Sequence, residues 1–380
     1  MSAPLVLVLG TADWDAVIAT NQHSAAAALA QRWPVLFAEG TGTRRLRPSD
    51  ARRVLRRLRR EPAARTRRPV PAGVRVLTPR LLPHHAPSTR AVNGWALTRQ
   101  LRPWVEHPGP RLLWTYTPFS YGLEALADAT AYHLVDLLHE NPGVHRGRLL
   151  AAERSLAAGT DLALASSPAV EAHLRERGFA RTRCLPNVAD VALFADAVRR
   201  RSAPREPVVV VAGTLAAHKL DLPLLARLAT ALRGRGRVRL IGPLADGTAA
   251  DPAWRALLAA GAEVVAPLEP TALAAELAAA RVGLVPYRIS PLTVGISPLK
   301  VHEYLAAGLA VVSTALPAVR PAPGAVHVEA SADAFVRRVL DVLADADPQL
   351  PARAARLAAG HDWASRGEEL RTLAAGLLPG

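Results

Sequence analysis

The sequence predicts an α/β protein built as two Rossmann-like domains, and three observations predict it. Short apolar runs rich in valine and leucine alternate with alanine-rich stretches of helical period along the chain. The runs are continuously apolar rather than alternating, as in strands covered on both faces, which implies parallel sheets with crossover helices. The length of 380 residues, 50% of them apolar, suffices for two packed cores.

In chain order the expected strands are Leu5–Leu9, Val35–Ala38, Val74–Leu77, Leu112–Thr115, Ala131–Val135 and Leu162–Ala165, with helical stretches between most of them. From Asn187 to Pro207 the rhythm breaks: a helical Val191–Arg201 gives way to a Ser-Ala-Pro-Arg-Glu-Pro stretch. Strands resume at Val208–Ala212, Val238–Ile241, Val264–Val265, Val282–Val285 and Ala310–Ser313, and His361–Leu378 reads as a terminal helix packed by Trp363 and Leu370. The expected organisation is therefore residues 1–186, 187–360 and a terminal helix in 361–380 that packs back toward the first domain. Two such domains place a ligand cleft between them, at the carboxyl ends of the strands.

A single cysteine, Cys184, excludes an intramolecular disulfide framework and a thiolate metal cluster, and it fits a reducing compartment. The first apolar run follows no basic residue and is far short of a membrane span, so a cytoplasmic protein is expected. The formal charge of +15 invites a nucleic-acid reading, but twelve arginines lie between Arg44 and Arg68 against Asp50 and Glu61, so two thirds of the excess is local. No aromatic residue interleaves there and no recognition motif is present, so nucleic acid is not an expected partner. Ser49–Arg60 sets Val54, Leu55 and Leu58 on one face of a basic helix. Such a helix suits either plain coverage of the sheet or peripheral contact with anionic lipid on the inner face of a membrane.

The sequence has no G-x-x-x-x-G-K phosphate loop, no complete G-x-G-x-x-G, no H-E-x-x-H and no G-x-S-x-G. Two D-x-D triplets occur, Asp13-Trp14-Asp15 and Asp345-Ala346-Asp347. The second reads as solvated surface, the first as lining of the cleft without a metal. Tyr287–Pro317 is more informative. A strand is followed by a loop ending in Gly295-Ile296-Ser297-Pro298, then a helical Leu299–Ala307 closed by Gly308, then another strand. Ser297 is the expected N-cap and Pro298 the first helical residue. Such a helix start presents free N–H groups to a phosphate, Lys300 adds a full charge, and Glu303 is placed to accept hydrogen bonds from ribose hydroxyls. An ordinary βαβ connection with surface Lys and Glu fits the local features equally well.

Pro298-Leu-Lys300-Val-His-Glu303-Tyr304-Leu-Ala306-Ala-Gly308-Leu-Ala310-Val-Val312 resembles the nucleotide-sugar signature of GT4-type (group 1) glycosyltransferases of GT-B fold. Three further stretches are similar to that family: Val211–Asp221, with Gly213, Thr214 and Lys219, to its first C-terminal-domain loop, whose lysine binds the donor diphosphate; Pro186-Asn187-Val-Ala-Asp190 to its interdomain motif; and His361-Asp-Trp363 to the start of its terminal helix. The chain's only two lysines, Lys219 and Lys300, fall on the two phosphate positions. Two departures stand out: Gly295 where a first glutamate is common, and Thr214 where an arginine is. Both resemble a cell-envelope subgroup of the teichuronic-acid type, carrying P-x-K-x-x-E-Y. With that glutamate missing, the backbone amides of Val294–Ser297 are the expected substitute for holding sugar hydroxyls.

The N-terminal half resembles that subgroup more weakly, at Trp14-Asp15, Asn21-Gln22-His23, Trp114–Pro118 and Tyr132–Asp136. The resemblance implies an acceptor-binding N-terminal domain and a nucleotide-sugar-binding C-terminal one, with sheets facing across a cleft. Gly213, Thr214, Lys219, Gly295, Ile296, Ser297, Leu299, Lys300 and Glu303 would bind the donor; Asp13, Trp14, Asn21, His23 and Trp95 would lie on the acceptor side. His133 is the implied contact to the donor sugar, with Asp136 the competing carboxylate and a buried core histidine the plain alternative. His139 and Glu140 are expected to be exposed. The implied reaction is retaining transfer to a hydroxyl of a small-molecule natural product or a lipid-linked cell-envelope acceptor. Lys219 and Lys300 would stabilise the leaving diphosphate, with no cofactor and no divalent metal. A nucleotide-sugar epimerase or hydrolase of the same fold, or a non-catalytic activator subunit, is the alternative.

Overall fold

The computed structural model describes residues 2–16, 20–40, 68–82, 87–345 and 347–379. The arginine-rich stretch up to residue 67, with its expected amphipathic helix, lies outside the described residues. The chain divides into two compact units: unit 1 is Met1–Pro186 with Arg366–Gly380, and unit 2 is Asn187–Ser365.

Unit 1 holds one sheet of seven parallel strands. In sheet order they are β3 (Val74–Leu77), β2 (Val35–Ala38), β1 (Leu5–Leu9), β4 (Arg111–Thr115), β5 (Ala129–Leu134), β6 (Leu162–Ala165) and β7 (Thr182–Cys184). Unit 2 holds six parallel strands, β10 (Glu263–Val265), β9 (Arg237–Ile241), β8 (Val208–Ala212), β11 (Val282–Val285), β12 (Ala310–Thr314) and β13 (Val326–Glu329). Each sheet reverses its order once, between β1 and β4 and between β8 and β11. In open α/β sheets, ligands bind at the carboxyl ends of the strands beside such a reversal.

The apolar runs become strands because both of their faces are covered. In β8, Val208, Val210 and Ala212 pack into one core with Tyr304, Leu305 and Leu309, while Val209 and Val211 pack into another with Leu225, Leu228 and Phe335. Successive side chains point to opposite faces, so a strand with helices on both sides has no polar position to spare. Side-chain caps start the helices at Ser167, Asp190, Asp221, Asp251 and Ser331, each accepting from a backbone N–H of the first turn.

The eleven expected strands all form, within two residues of their expected ends. Two further strands, β7 and β13, edge their sheets. Both are short, and most of their residues are only partly buried. A half-exposed edge strand carries no continuous apolar run and so leaves little trace in the sequence. No helix among the described residues is long and apolar enough to cross a membrane.

Candidate functional site

In unit 2 the site is built from glycines that let backbone approach backbone. Gly213, directly after β8, has φ +129°, and Gly242, directly after β9, has φ +143°. A Cβ on Gly242 would stand 2.0 Å from the Gly213 carbonyl oxygen, so only glycine fits there. The Gly213 N–H donates to the Ile241 carbonyl at 2.9 Å and the Leu215 N–H to that of Pro243 at 2.9 Å. A turn follows in which the Ala216 carbonyl accepts from the N–H groups of Lys219 and Leu220, both at 2.9 Å. The Lys219 carbonyl in turn accepts from the Arg288 N–H at 2.8 Å, which ties this loop to the one after β11. Thr214 is exposed on the loop.

Lys300 reaches the same place from helix Lys300–Ala306. Its Cε lies 3.6 Å from the position a Cβ on Gly213 would take. Its Nζ pairs with Glu303 Oε2 at 2.5 Å, one helical turn on. Glu303 is only 9% exposed, so the ion pair neutralises a largely buried carboxylate. The two residues are brought together as the i, i+3 spacing allows. Tyr304, fully buried, accepts the Ala212 N–H at 2.8 Å through its hydroxyl and so fixes the end of β8. Its ring leaves room only for a hydrogen on β11 residue Gly283, where a Cβ would come within 2.3 Å. The helix closes as expected at Gly308 (φ +71°), with the Leu309 N–H bonded to Tyr304 and the Gly308 N–H to Leu305.

Two expectations about this segment are corrected. Ser297 does not cap the helix: Leu299 stands at the N-cap in αR conformation with no side-chain cap. The Ser297 hydroxyl instead accepts from the Asn187 N–H at 3.3 Å, and its carbonyl from Asn187 Nδ2 at 2.7 Å. Nor are the amides of Val294–Ser297 all available to sugar hydroxyls. Those of Val294 and Ile296 bond to the Ser290 and Thr293 carbonyls, both at 3.0 Å, closing a turn around Gly295 that buried Thr293 braces. The second D-x-D is surface as expected, with Asp345 exposed and Asp347 paired with Arg353 at 2.8 Å.

In unit 1 the loop after β1 is folded on itself. Gln22 Oε1 accepts from the Thr11 N–H at 2.8 Å, and Glu39 accepts from the Trp14 N–H at 2.6 Å. His23 Nδ1 accepts from the Thr20 N–H at 3.1 Å, and Nε2 lies 3.2 Å from the Asp13 carbonyl. Trp14 and His23 are 1% and 4% exposed and pack edge to face at 5.1 Å, so their side chains build the loop from within. Burial and the Arg68 charge lower the pKa of His23. Asp13 and Asn21 lie half-buried on the same loop and the helix that follows it, whereas Trp95 is 67% exposed on helix Pro87–Gln100.

His133 sits near the carboxyl end of β5, 5% exposed and stacked on Tyr116 with centroids 4.9 Å apart. Its Nδ1 is buried without a hydrogen-bond partner. Burial, reinforced by the charge of Arg366, pulls its pKa down to about 3, so it is neutral at physiological pH. Asp136 follows two residues after the strand, half-buried. His139 is not exposed as expected: it is 8% exposed, and Glu140 is half-buried beside it.

Sequence reasoning missed Gly242, Tyr304 and Asn187 as the residues that position the unit 2 loops. A glycine directly after an apolar strand, shared by Gly213 and Gly242, was the available signal for the first.

Residues 206–345 match the family described as glycosyl transferases group 1. No curated protein matches the chain. Among solved structures, HepE of Anabaena in complex with UDP is similar over 98% of this chain and 100% of that one, with 13% identity and a TM-score of 0.68. An α,α-trehalose-phosphate synthase (UDP-forming) from Burkholderia vietnamiensis is similar over 99% and 96%, with 14% identity and a TM-score of 0.68. WaaG, a glycosyltransferase involved in lipopolysaccharide biosynthesis, is similar over 98% and 100%, with 12% identity and a TM-score of 0.61. At these identities the likeness is one of fold, and it bears out the α/β expectation of two parallel sheets in the GT-B manner.

Proposed function

We propose, from the match of residues 206–345 to group 1 glycosyl transferases, that this chain is a glycosyltransferase whose unit 2 binds a nucleotide-diphosphate sugar. The observation that carries the reading is the place of the only two lysines in the sequence. Lys219 lies on the loop after β8 and Lys300 meets that loop at Gly213, beside the reversal of strand order in the sheet. A diphosphate needs positive charge and close backbone approach, and the loop offers both. Lys300 and Glu303 act as a unit, the lysine toward phosphate and the carboxylate toward ribose hydroxyls.

In the transfer, the bond from the anomeric carbon to the diphosphate oxygen breaks and a bond to the acceptor hydroxyl forms. The hydroxyl proton passes to the departing diphosphate, and the configuration is retained. Lys219 and Lys300 stabilise the charge that develops on that leaving group, which makes a divalent metal unnecessary for the step. Uridine is the proposed base, since HepE is seen with UDP and the Burkholderia synthase is UDP-forming. The acceptor is a hydroxyl compound of the cell envelope or a small-molecule natural product, bound through unit 1. WaaG, with its role in lipopolysaccharide biosynthesis, supports the envelope class. His133 or Asp136 is the proposed unit 1 contact to the transferred sugar; neutral His133 can donate one hydrogen bond without adding charge.

The test is thermal stabilisation by UDP, GDP, dTDP and ADP in the presence of EDTA. A ligand at 100 times its Kd stabilises by about 2.7 kcal/mol. UDP is expected to raise Tm in the parent chain and not in Lys219→Ala or Lys300→Ala. Failure of every nucleotide to shift the folded protein would overturn the donor site and favour a non-catalytic subunit. Release of free sugar from the donor without acceptor would point to a hydrolase.

A further inference from the structure

Away from the donor loops, unit 1 contains a buried cluster that the proposed transfer does not use. Glu153, on helix Arg146–Ala157, is fully buried. One of its carboxylate oxygens lies 2.8 Å from Nε2 of His173, on helix Pro168–Glu176, and the other accepts from the Tyr132 hydroxyl at 3.2 Å. His139, on the short turn Leu138–Glu140, stacks against His173 with ring centroids 4.4 Å apart and planes 22° from parallel. Its Nε2 lies 3.2 Å from Glu140 Oε1, and Glu140 is itself paired with Arg146. Its Nδ1 is buried and has no hydrogen-bond partner.

From this arrangement we propose that His139, Glu153 and His173 bind one divalent transition-metal ion of the zinc type. One donor atom from each residue falls within 4.8 Å of the other two. Ligands held ~2.0–2.2 Å from a tetrahedral ion stand roughly 3.3–3.6 Å apart, so closure asks for side-chain adjustments of about an ångström. Two imidazoles and one carboxylate make a borderline donor set that suits zinc and leaves a fourth position for water.

The orphaned nitrogen is what separates this cluster from a plain buried ion pair. A Glu–His pair with a tyrosine hydroxyl is already satisfied by Glu153, His173 and Tyr132, and it gives no reason for a third titratable ring to be buried against it. His139 Nε2 lies beside the Glu140 carboxylate, while Nδ1 is buried and has no hydrogen-bond partner. A ring with one nitrogen beside a carboxylate and the other unpartnered, stacked within ligand reach of a second imidazole and a buried carboxylate, has the donor and the flanking carboxylate usual around protein-bound zinc. Tyr132 plays the corresponding part for Glu153 by holding the oxygen that does not face His173. The three donors come from three separate elements of unit 1, so the ion would tie them together.

The test uses the tag-free full chain, stripped with EDTA and titrated with Zn²⁺ by calorimetry and with Co²⁺ by visible absorption. The parent protein is expected to take up one equivalent of either ion, and the cobalt form to show the intense visible bands of four-coordinate nitrogen and oxygen ligation. His139→Ala and His173→Ala are expected to weaken binding at least tenfold each. His361→Ala, in the stacked His302–His361 pair of unit 2, is expected to leave it unchanged. His139→Ala keeps the Glu153–His173 pair and the Tyr132 bond, so the variant is expected to fold with a metal-free Tm lowered by the lost ring packing, and to show no Zn²⁺-dependent rise in Tm. The proposal is overturned if the parent binds no stoichiometric metal, or if the two unit 1 variants bind as tightly as the parent. Nucleotide stabilisation in EDTA is a separate readout, so the fate of this site and that of the donor site are told apart.

Discussion

A histidine kept neutral by its surroundings gives this protein one of its clearest pH signatures. His133 has a pKa of about 3 in the folded chain because burial disfavours its charged form and Arg366 repels a second positive charge. In the unfolded chain the same ring titrates near the ordinary value of about 6.5, so between about pH 6.5 and 3 the unfolded state holds one proton more. Stability therefore falls as pH drops through that window, with about 1.4 kcal/mol lost per pH unit from this residue, and it has no slope from His133 above it. Urea unfolding of His133→Gln between about pH 4 and 7 should show an acid limb shallower by one proton than that of the parent; equal slopes would sink the assignment. The residues legible in the sequence were the rare ones. Lys219 and Lys300 stood out because arginine fills every other basic position. The burial of Trp14, His23 and His139 was not legible, because it is decided by partners such as Glu39 and His173 that lie well apart from them in sequence.

At the level of elements, the donor loops depend on one buried hydroxyl. Tyr304 holds the last N–H of β8, and Gly213 follows immediately. Tyr304→Phe leaves that buried N–H unpaired at a cost of about 1–3 kcal/mol. The expected result is a lower urea midpoint with faster exchange of the Ala212 amide; an unchanged midpoint and exchange rate would remove Tyr304 from its positioning role. Continuous apolar runs made the central strands legible because a strand covered on both faces admits little else. Edge strands β7 and β13 escaped because half their surface faces solvent. The rule that places an N-cap at Ser167 and Ser331 misplaced one at Ser297, whose hydroxyl and carbonyl are engaged by Asn187, 110 residues away. A local signal for a helix start carries no record of a competing partner so distant in the chain.

On the scale of the whole molecule, unit 1 is discontinuous: it is completed by Arg366–Gly380 after all of unit 2 has intervened. The returning segment is an integral part of it. Leu370 and Ala374 are fully buried, Arg366 donates to the Pro186 carbonyl, Arg183 pairs with Glu369, and Arg371 donates to the Ala28 carbonyl at 3.2 Å. A chain truncated after Ser365 should lose at least about 3 kcal/mol of unit 1 stability, from the buried leucine and the opened hydrogen bonds. Urea unfolding followed by hydrogen exchange in β1 and β2 would read the loss; unaltered protection there would mean that the helix contributes nothing. The same discontinuity orders events during translation. Unit 2 emerges from the ribosome as one uninterrupted stretch and can close as soon as it is made, whereas residues 1–186 must wait for a helix encoded downstream of it. At roughly 5–20 residues per second, that wait is on the order of ten to forty seconds. Throughout it the unfinished N-terminal sheet is exposed to chaperones, and to neighbouring nascent chains.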